Sequence, residues 1–311
     1  MITTVTLNAS VDKAYHMDRD IGGGEVMRVA ECRNSAGGKG LNVARIVKLC
    51  GEDVLTTGLA GGFNGAYLES MLKEDGLRCA FQRIAGETRS CINILDPKFG
   101  STEFLEPGCD VTPQEEEIFL TETFPAALRS CAVVTLSGSV PKGMSADIYR
   151  RLVETAKALG KAVILDTSGE TLTEGLKGLP TMVKPNKEEL EALLGETVET
   201  EEDCLRAADK LRERGINYVV VSLGKDGSMM VCPEGAYVAR PPKIEAVNTV
   251  GCGDSMVAAF AVGMDRNSDS ENLLRFASAV ATANALSSET GSFRQEDLDS
   301  LLSRTEVSKI R

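Results

Sequence analysis

Tryptophan is absent from the 311 residues, aromatic residues make up only 5% of them, and histidine occurs once, as His16. So few rings argue against a surface that stacks nucleic-acid bases. One imidazole supplies neither a histidine-based triad nor a His-rich metal site, and His16 reads as a partly exposed structural residue. The nine cysteines include no C-x-x-C pair, so no zinc set is formed. They read as the reduced thiols of a cytoplasmic protein. No apolar run approaches the roughly 20 residues of a membrane span, and Met1 to Leu7 reads as a strand rather than a signal peptide. Positive charge is in deficit too: 34 Lys and Arg against 46 Asp and Glu leave a net charge of −12. That balance argues against general affinity for nucleic acid or anionic membrane, and permits a small phosphorylated ligand only where basic groups are gathered locally. The G-x-x-x-x-G-K-[ST] spacing of a P-loop is also missing.

What is present centres on Asn248-Thr249-Val250-Gly251-Cys252-Gly253-Asp254-Ser255. Met256, Val257, Phe260, Ala261 and Met264 follow at helical spacing, which predicts a buried helix opening at or just after Gly253. Glycines at 251 and 253 let the backbone turn several N–H groups toward one point. With the positive end of the helix dipole, those amides make an anion site. Asp254 then has two readings. It is a helix N-cap, or it is a base that takes a proton from a hydroxyl attacking a bound phosphate.

Strand-like runs end in small polar residues along the middle of the chain: Ala132 to Leu136 before Ser137, Ala162 to Leu165 before Asp166, Thr181 to Lys184 before Pro185-Asn186. A helix from about Ser145 to Leu159 separates the first two, and this alternation predicts a parallel sheet with helices on its faces. Ligands of such sheets sit beyond the carboxyl ends of the strands. Asp12, which follows a short turn after the first strand, is accordingly a candidate to hold sugar hydroxyls, or a solvated turn residue. Two stretches, about 13–35 and 88–106, read as strands without helices and predict a small lid sheet over the crevice, within one domain spanning 1–311. A strand-built lid can also pair two copies into a homodimer. Asn186 with Glu189 forms a capping box or holds waters around Mg²⁺. Tyr218 to Val221 runs into Ser222-Leu223-Gly224-Lys225-Asp226-Gly227, a hairpin turn against which a nucleotide can lie. Asn284, at the polar end of a later helix, is a candidate for an adenine edge, and the chain after Gly291 reads as a short polar helix.

Gly37-Gly38-Lys39-Gly40 and Asn248 to Ser255, with Lys184 to Glu189 and Ser222-Leu223-Gly224 between them, resemble the signatures of the ribokinase family of carbohydrate kinases. The resemblance covers essentially the whole chain. Within the family it is closest to the phosphofructokinase-B branch, whose members phosphorylate sugars already carrying a phosphate. Thr6-Leu7-Asn8 with Asp12, Gly86 to Leu95 and Ile164 to Gly169 are most similar to tagatose-6-phosphate kinases, and the neighbouring 1-phosphofructokinases share most of these features. The resemblance implies an α/β fold, a ribokinase-like three-layer α/β/α with a mostly parallel central sheet and a β lid. It implies ATP and Mg²⁺ as cofactors and a sugar phosphate as acceptor. Asp254 would be the base, with Gly251, Cys252 and Gly253 as the anion hole. Asp12, Gly38 and Ser137 would bind sugar, and Lys39 and Arg89 would grip its resident phosphate with Asn42 beside them. Asn186 and Glu189 would order Mg²⁺ through water, and Asn186, Ser222, Gly224, Gly227, Thr249, Gly251, Gly253 and Asn284 would line the ATP site. Cys252 stands where relatives usually have Ala or Ser, and a helix N-terminus there predicts a thiol of lowered pKa. A kinase for an unphosphorylated sugar or nucleoside, and a non-catalytic sugar sensor, are the competing readings. Lys39 with Arg89 counts against the first, and Asp254 with its glycines against the second.

Overall fold

Short runs rich in β-branched residues, buried almost from end to end, form the middle of the molecule: Val133–Ser137, Ala162–Asp166 and Tyr218–Ser222. A strand covered on both faces needs apolar side chains in both directions, and parallel sheets impose that condition. The computed structural model describes residues 1–311 and shows a ten-stranded sheet. Its order runs Glu306–Lys309, Gly235–Arg240, Ser228–Cys232, Tyr218–Ser222, Met182–Val183, Ala162–Asp166, Val133–Ser137, Ile2–Thr6, Val54–Gly61, Arg78–Ile84. The strands from Tyr218–Ser222 to Arg78–Ile84 are parallel; the remaining three continue the sheet antiparallel.

Period-two alternation divides the strand side chains between two cores. Ile2, Ile164, Met182, Val220 and Met230 join a cluster of 39 buried residues under the helices Lys39–Leu49, Cys252–Asp265 and Ser270–Ala285. Val5, Val163, Leu165, Val219 and Val221 join a second cluster of 35 on the opposite face, under Ile148–Ala158 and Glu201–Glu213. At about 25 cal/mol per Å² of apolar surface, clusters of that size outweigh any local propensity and hold the strands in register.

The second, four-stranded sheet is ordered Glu31–Gly37, Ser10–His16, Arg89–Asp96, Gly100–Leu105. Both stretches expected to contribute do so, with one shift in register. The first strand of this sheet starts at Ser10, so Asp12 lies within a strand rather than as a solvated turn residue, and its partner is Glu31–Gly37. The chain between them, with Gly22-Gly23-Gly24 and the charged Asp18, Arg19 and Asp20, has no regular structure. A β-pattern with nothing apolar to cover on either face has no burial to offset its ordering entropy. Two further departures are small. The helix expected from Gly253 begins at Cys252, and the helix Gln295–Arg304 is followed by the sheet-edge strand Glu306–Lys309. No helix is long and apolar enough to cross a membrane.

Candidate active site

Strand register assembles the floor of the site. Ser137 pairs with Asp166, Val183 with Leu165, and Leu136 with Val5, so Thr6, Ser137, Asp166 and Lys184 form one row at the carboxyl edge of the sheet. Ile164 and Met182 face the helices Lys39–Leu49 and Cys252–Asp265, and Asp166 and Lys184, two residues on, share that face. There Lys184 Nζ lies 3.1 Å from Asp166 Oδ1 and Lys39 Nζ 3.4 Å from Oδ2. Burial by itself would raise the Asp166 carboxyl, but Lys184 and then Lys39 more than offset it and hold the group below its usual range. Asp166 therefore stays a buried anion between two ammonium groups.

Two helices deliver their amino ends to this row. Lys39–Leu49 follows Gly38, whose φ of 121° suits glycine, and a Cβ on Gly40 would stand 2.3 Å from Thr6 Oγ1. Glycine lets the helix land directly on the first strand. Cys252–Asp265 follows Gly251 at φ 80°, and its ladder opens with Ser255 N donating to Gly251 O at 2.8 Å. It is buried nearly all round because it is lodged between the sheet and Ser270–Ala285.

Asp254 is the third residue of that helix and makes no capping bond. Its Oδ2 accepts instead from Asn42 Nδ2 at 2.9 Å, across to the other helix. The side chain is buried at 5% exposure, and its pKa is pushed up to about 6, chiefly by burial and then by the Asp166 charge. Lys39, the Asn42 hydrogen bond and Lys184 act in the opposite sense. The N-cap reading is thereby set aside: this is a carboxylate whose protonation changes near neutrality, as a general base requires.

Opposite stands the root of the small sheet. Ser10 Oγ donates to Asp12 Oδ1 at 2.6 Å, and burial raises the Asp12 carboxyl against the lowering effects of that bond, Arg89 and Arg45. A Cβ on Gly37 would come within 2.1 Å of the Asp12 carboxylate, so glycine is what leaves room for it. Arg89 is fixed through Nε to Asn8 O at 3.2 Å and through Nη1 to Glu106 O at 2.9 Å. Between the two sheets opens a cleft of about 1540 Å³ lined by Asp12, Gly38, Lys39, Asn42, Arg89 and Ser137, among others.

A family model described as "pfkB family carbohydrate kinase" matches residues 5–297. The chain belongs to this family. The kinase is 38% identical over 313 residues to a tagatose-6-phosphate kinase of Staphylococcus epidermidis, covering 100% of both chains. Among solved structures it is similar to phosphofructokinase-2 from Escherichia coli in complex with potassium, with a TM-score of 0.91 and 30% identity over 97% of this chain and 98% of that one. It is likewise similar to a possible 1-phosphofructokinase from Thermotoga maritima, with a TM-score of 0.88 and 27% identity over 100% of both.

The remaining expected residues of the kinase are distributed unevenly. Asn186 and Ser222 meet in an isolated bridge. Asn186 also forms the capping box in full: its Oδ1 accepts from Glu189 N at 2.7 Å and Glu189 Oε2 accepts from Asn186 N at 2.9 Å. Gly224 opens a single 3-10 turn, and Gly227 is glycine because a Cβ there would lie 2.0 Å from Ala239 O. Thr249 precedes the glycine turn, where its carbonyl accepts from Cys252 N at 3.4 Å. Two expectations are corrected. Asn284 faces no cleft: it is fully buried, donating to Val250 O at 3.0 Å and accepting from Gly291 N at 3.0 Å, so its amide braces the loops around the glycine turn. The Cys252 thiol is raised, not lowered, because burial outweighs the Asn284 contact. Lys39 and Arg89 both line the cleft, Lys39 Nζ reaching Asp166 while Arg89 is tied to the root of the small sheet. Sequence reasoning placed Asp166 only among the strand-end residues lining the crevice and gave Lys184 no role, although an acid and a base each directly following a buried apolar strand end are a readable signal.

Proposed function

We propose that the kinase transfers the γ-phosphoryl group of ATP to the free primary hydroxyl of a ketohexose monophosphate, giving the 1,6-bisphosphate, and that tagatose 6-phosphate is its acceptor. The observation that carries this reading is Asp254: a buried carboxylate with a pKa of about 6, at a helix amino end, facing two lysines across one buried anion. Phosphoryl transfer asks the protein for in-line placement and for charge stabilisation more than for covalent chemistry. Asp254 takes the hydroxyl proton as the oxygen–phosphorus bond forms and ADP leaves. Lys39, Lys184 and the amides of Gly251 and Gly253 face the transferred oxygens, and Arg89 with Asp12 holds the sugar at the lid root. The small sheet works as a lid that keeps water from the reacting phosphate.

No three His, Cys, Asp or Glu side chains converge on a metal position. The donor set nevertheless suits Mg²⁺, which keeps most of its waters and leans on one or two carboxylates and the nucleotide phosphates. The capping box engages only Oε2 of Glu189 and leaves Oε1 as a donor beside Asn186. When bound, the ion neutralises phosphate charge. The exposed Phe99, Phe104 and Leu105 on the lid support pairing of two copies through it, and nine free cysteines support a reducing, cytoplasmic setting.

Fructose 1-phosphate is the second acceptor to consider, because the Thermotoga neighbour bears that activity in its name and a ketohexose phosphate is nearly symmetric end to end. A coupled assay of ADP release decides between them. Higher kcat/KM on tagatose 6-phosphate than on fructose 1-phosphate, and little on free sugars, is expected. Preference for a free sugar or nucleoside would overturn the proposal.

A further inference from the structure

An amide side chain has two ends of nearly equal size and opposite hydrogen-bonding character. Asn42 Nδ2 donates to Asp254 Oδ2 at 2.9 Å, and Asn42 Oδ1 accepts from Arg45 Nη1 at 3.2 Å. Asn42 and Arg45 are three residues apart on Lys39–Leu49, which puts both on one helix face. A guanidinium only donates and an ionised carboxylate only accepts. With Arg45 on one side, the amide has a single orientation that satisfies both neighbours. The flipped amide would set donor against donor at Arg45 and acceptor against acceptor at Asp254.

Arg45 is itself held in place. Its Nη2 donates to the Ala36 carbonyl in the lid strand Glu31–Gly37, and its Nε to Asp75 Oδ2 at 3.4 Å, just past the helix Gly62–Glu74. Its side chain is only 19% exposed. One guanidinium thus joins the lid root, a neighbouring helix and the amide on the base.

The geometry points to Arg45 as a positioning residue that keeps the NH₂ group of Asn42 on Asp254, favouring the ionised base. Its kinetic consequence rests on the reading of Asp254 as base; its electrostatic consequence does not. Other charges bear on Asp254 from the surrounding elements: Asp166 from its strand, Lys184 from the next, Lys39 from the same helix as Arg45; the Cys252 thiol stands on its own helix. Arg45 acts through Asn42, and so separates from all of these in a double mutant.

The test is a ¹³C-carboxyl NMR titration of protein labelled at aspartate side chains, with Asp254→Asn assigning the signal. Arg45→Met is expected to raise the Asp254 midpoint by about one pH unit. Arg45→Lys should raise it less, because one ammonium cannot serve three separate acceptors, and it carries the test should Arg45→Met fail to fold. In an Asn42→Ala background the Arg45 substitution should move the midpoint by less than about 0.3 unit, since no amide remains to orient. An unmoved midpoint in the Arg45 variants, or an equal shift with and without Asn42, overturns the inference. The acid limb of the kcat profile should move with the midpoint while KM for ATP holds. A shifted midpoint with an unmoved acid limb supports the Arg45 role and rejects Asp254 as base.

Discussion

Replacing Asp254 with Asn is expected to stabilise the protein while nearly abolishing turnover. The carboxyl rises from 3.8 to about 6 on folding, chiefly through burial and the Asp166 charge. A proton is therefore bound more tightly in the folded state than in the unfolded one. Below about pH 4 both states are protonated and the residue costs nothing. Between about 4 and 6 the unfolded chain ionises first, and above 6 the folded protein carries the full cost, about 3 kcal/mol for such a rise. Asparagine mimics the neutral acid and lifts that cost. At pH 8 the variant should gain about 3 kcal/mol, and the gain should vanish toward pH 4. Denaturant unfolding at several pH values reads the difference, provided the slope with denaturant is unchanged. In the same variant kcat should fall by about 10² to 10⁴, the usual worth of a positioned base. In the unmodified kinase kcat should drop about tenfold per pH unit below about 6. A variant less stable than the parent at pH 8, or a difference that is flat from pH 4.5 to 8, would refute the view that the fold holds this carboxyl against ionisation.

Lys39→Met should lower kcat by roughly 10²-fold with little change in KM for the sugar phosphate, because its ammonium lies with Asp166 and Asp254; Arg89→Ala should mainly raise that KM, and the reverse pattern in steady-state kinetics would exchange their roles. Gly37→Ala places a methyl group 2.1 Å from the Asp12 carboxylate and should raise the sugar-phosphate KM about tenfold or more; an unchanged KM would show that Asp12 does not hold the sugar. Cys252 should react slowly with a disulfide reagent at pH 7.5, since burial raises its thiol, and ATP bound at the glycine turn should slow it further; modification at the rate of an exposed thiol would contradict its placement.

The order and type of most elements are legible in the chain because they follow from local pattern. Alternating or continuous β-branched runs such as Tyr218–Ser222, and the 3.6-residue apolar period after Asp254, need only a core to satisfy them. The two glycine turns and the family they resemble are equally local. Other features belong to tertiary structure alone. Whether Asp254 caps its helix or faces Asn42 depends on how closely the helices Lys39–Leu49 and Cys252–Asp265 approach, a contact spanning more than 200 residues of chain. Asp166 and Lys184 become a pair only through register between adjacent strands, and Lys39 joins them because a buried anion attracts an ammonium strongly where water is excluded. Asn284 looks like a ligand in the sequence and is a brace in the fold. Periodicity and turn chemistry say which residues are turned inward; only the packed chain sets what each meets there, because burial, charge and hydrogen bonding act across contacts that no window of sequence contains.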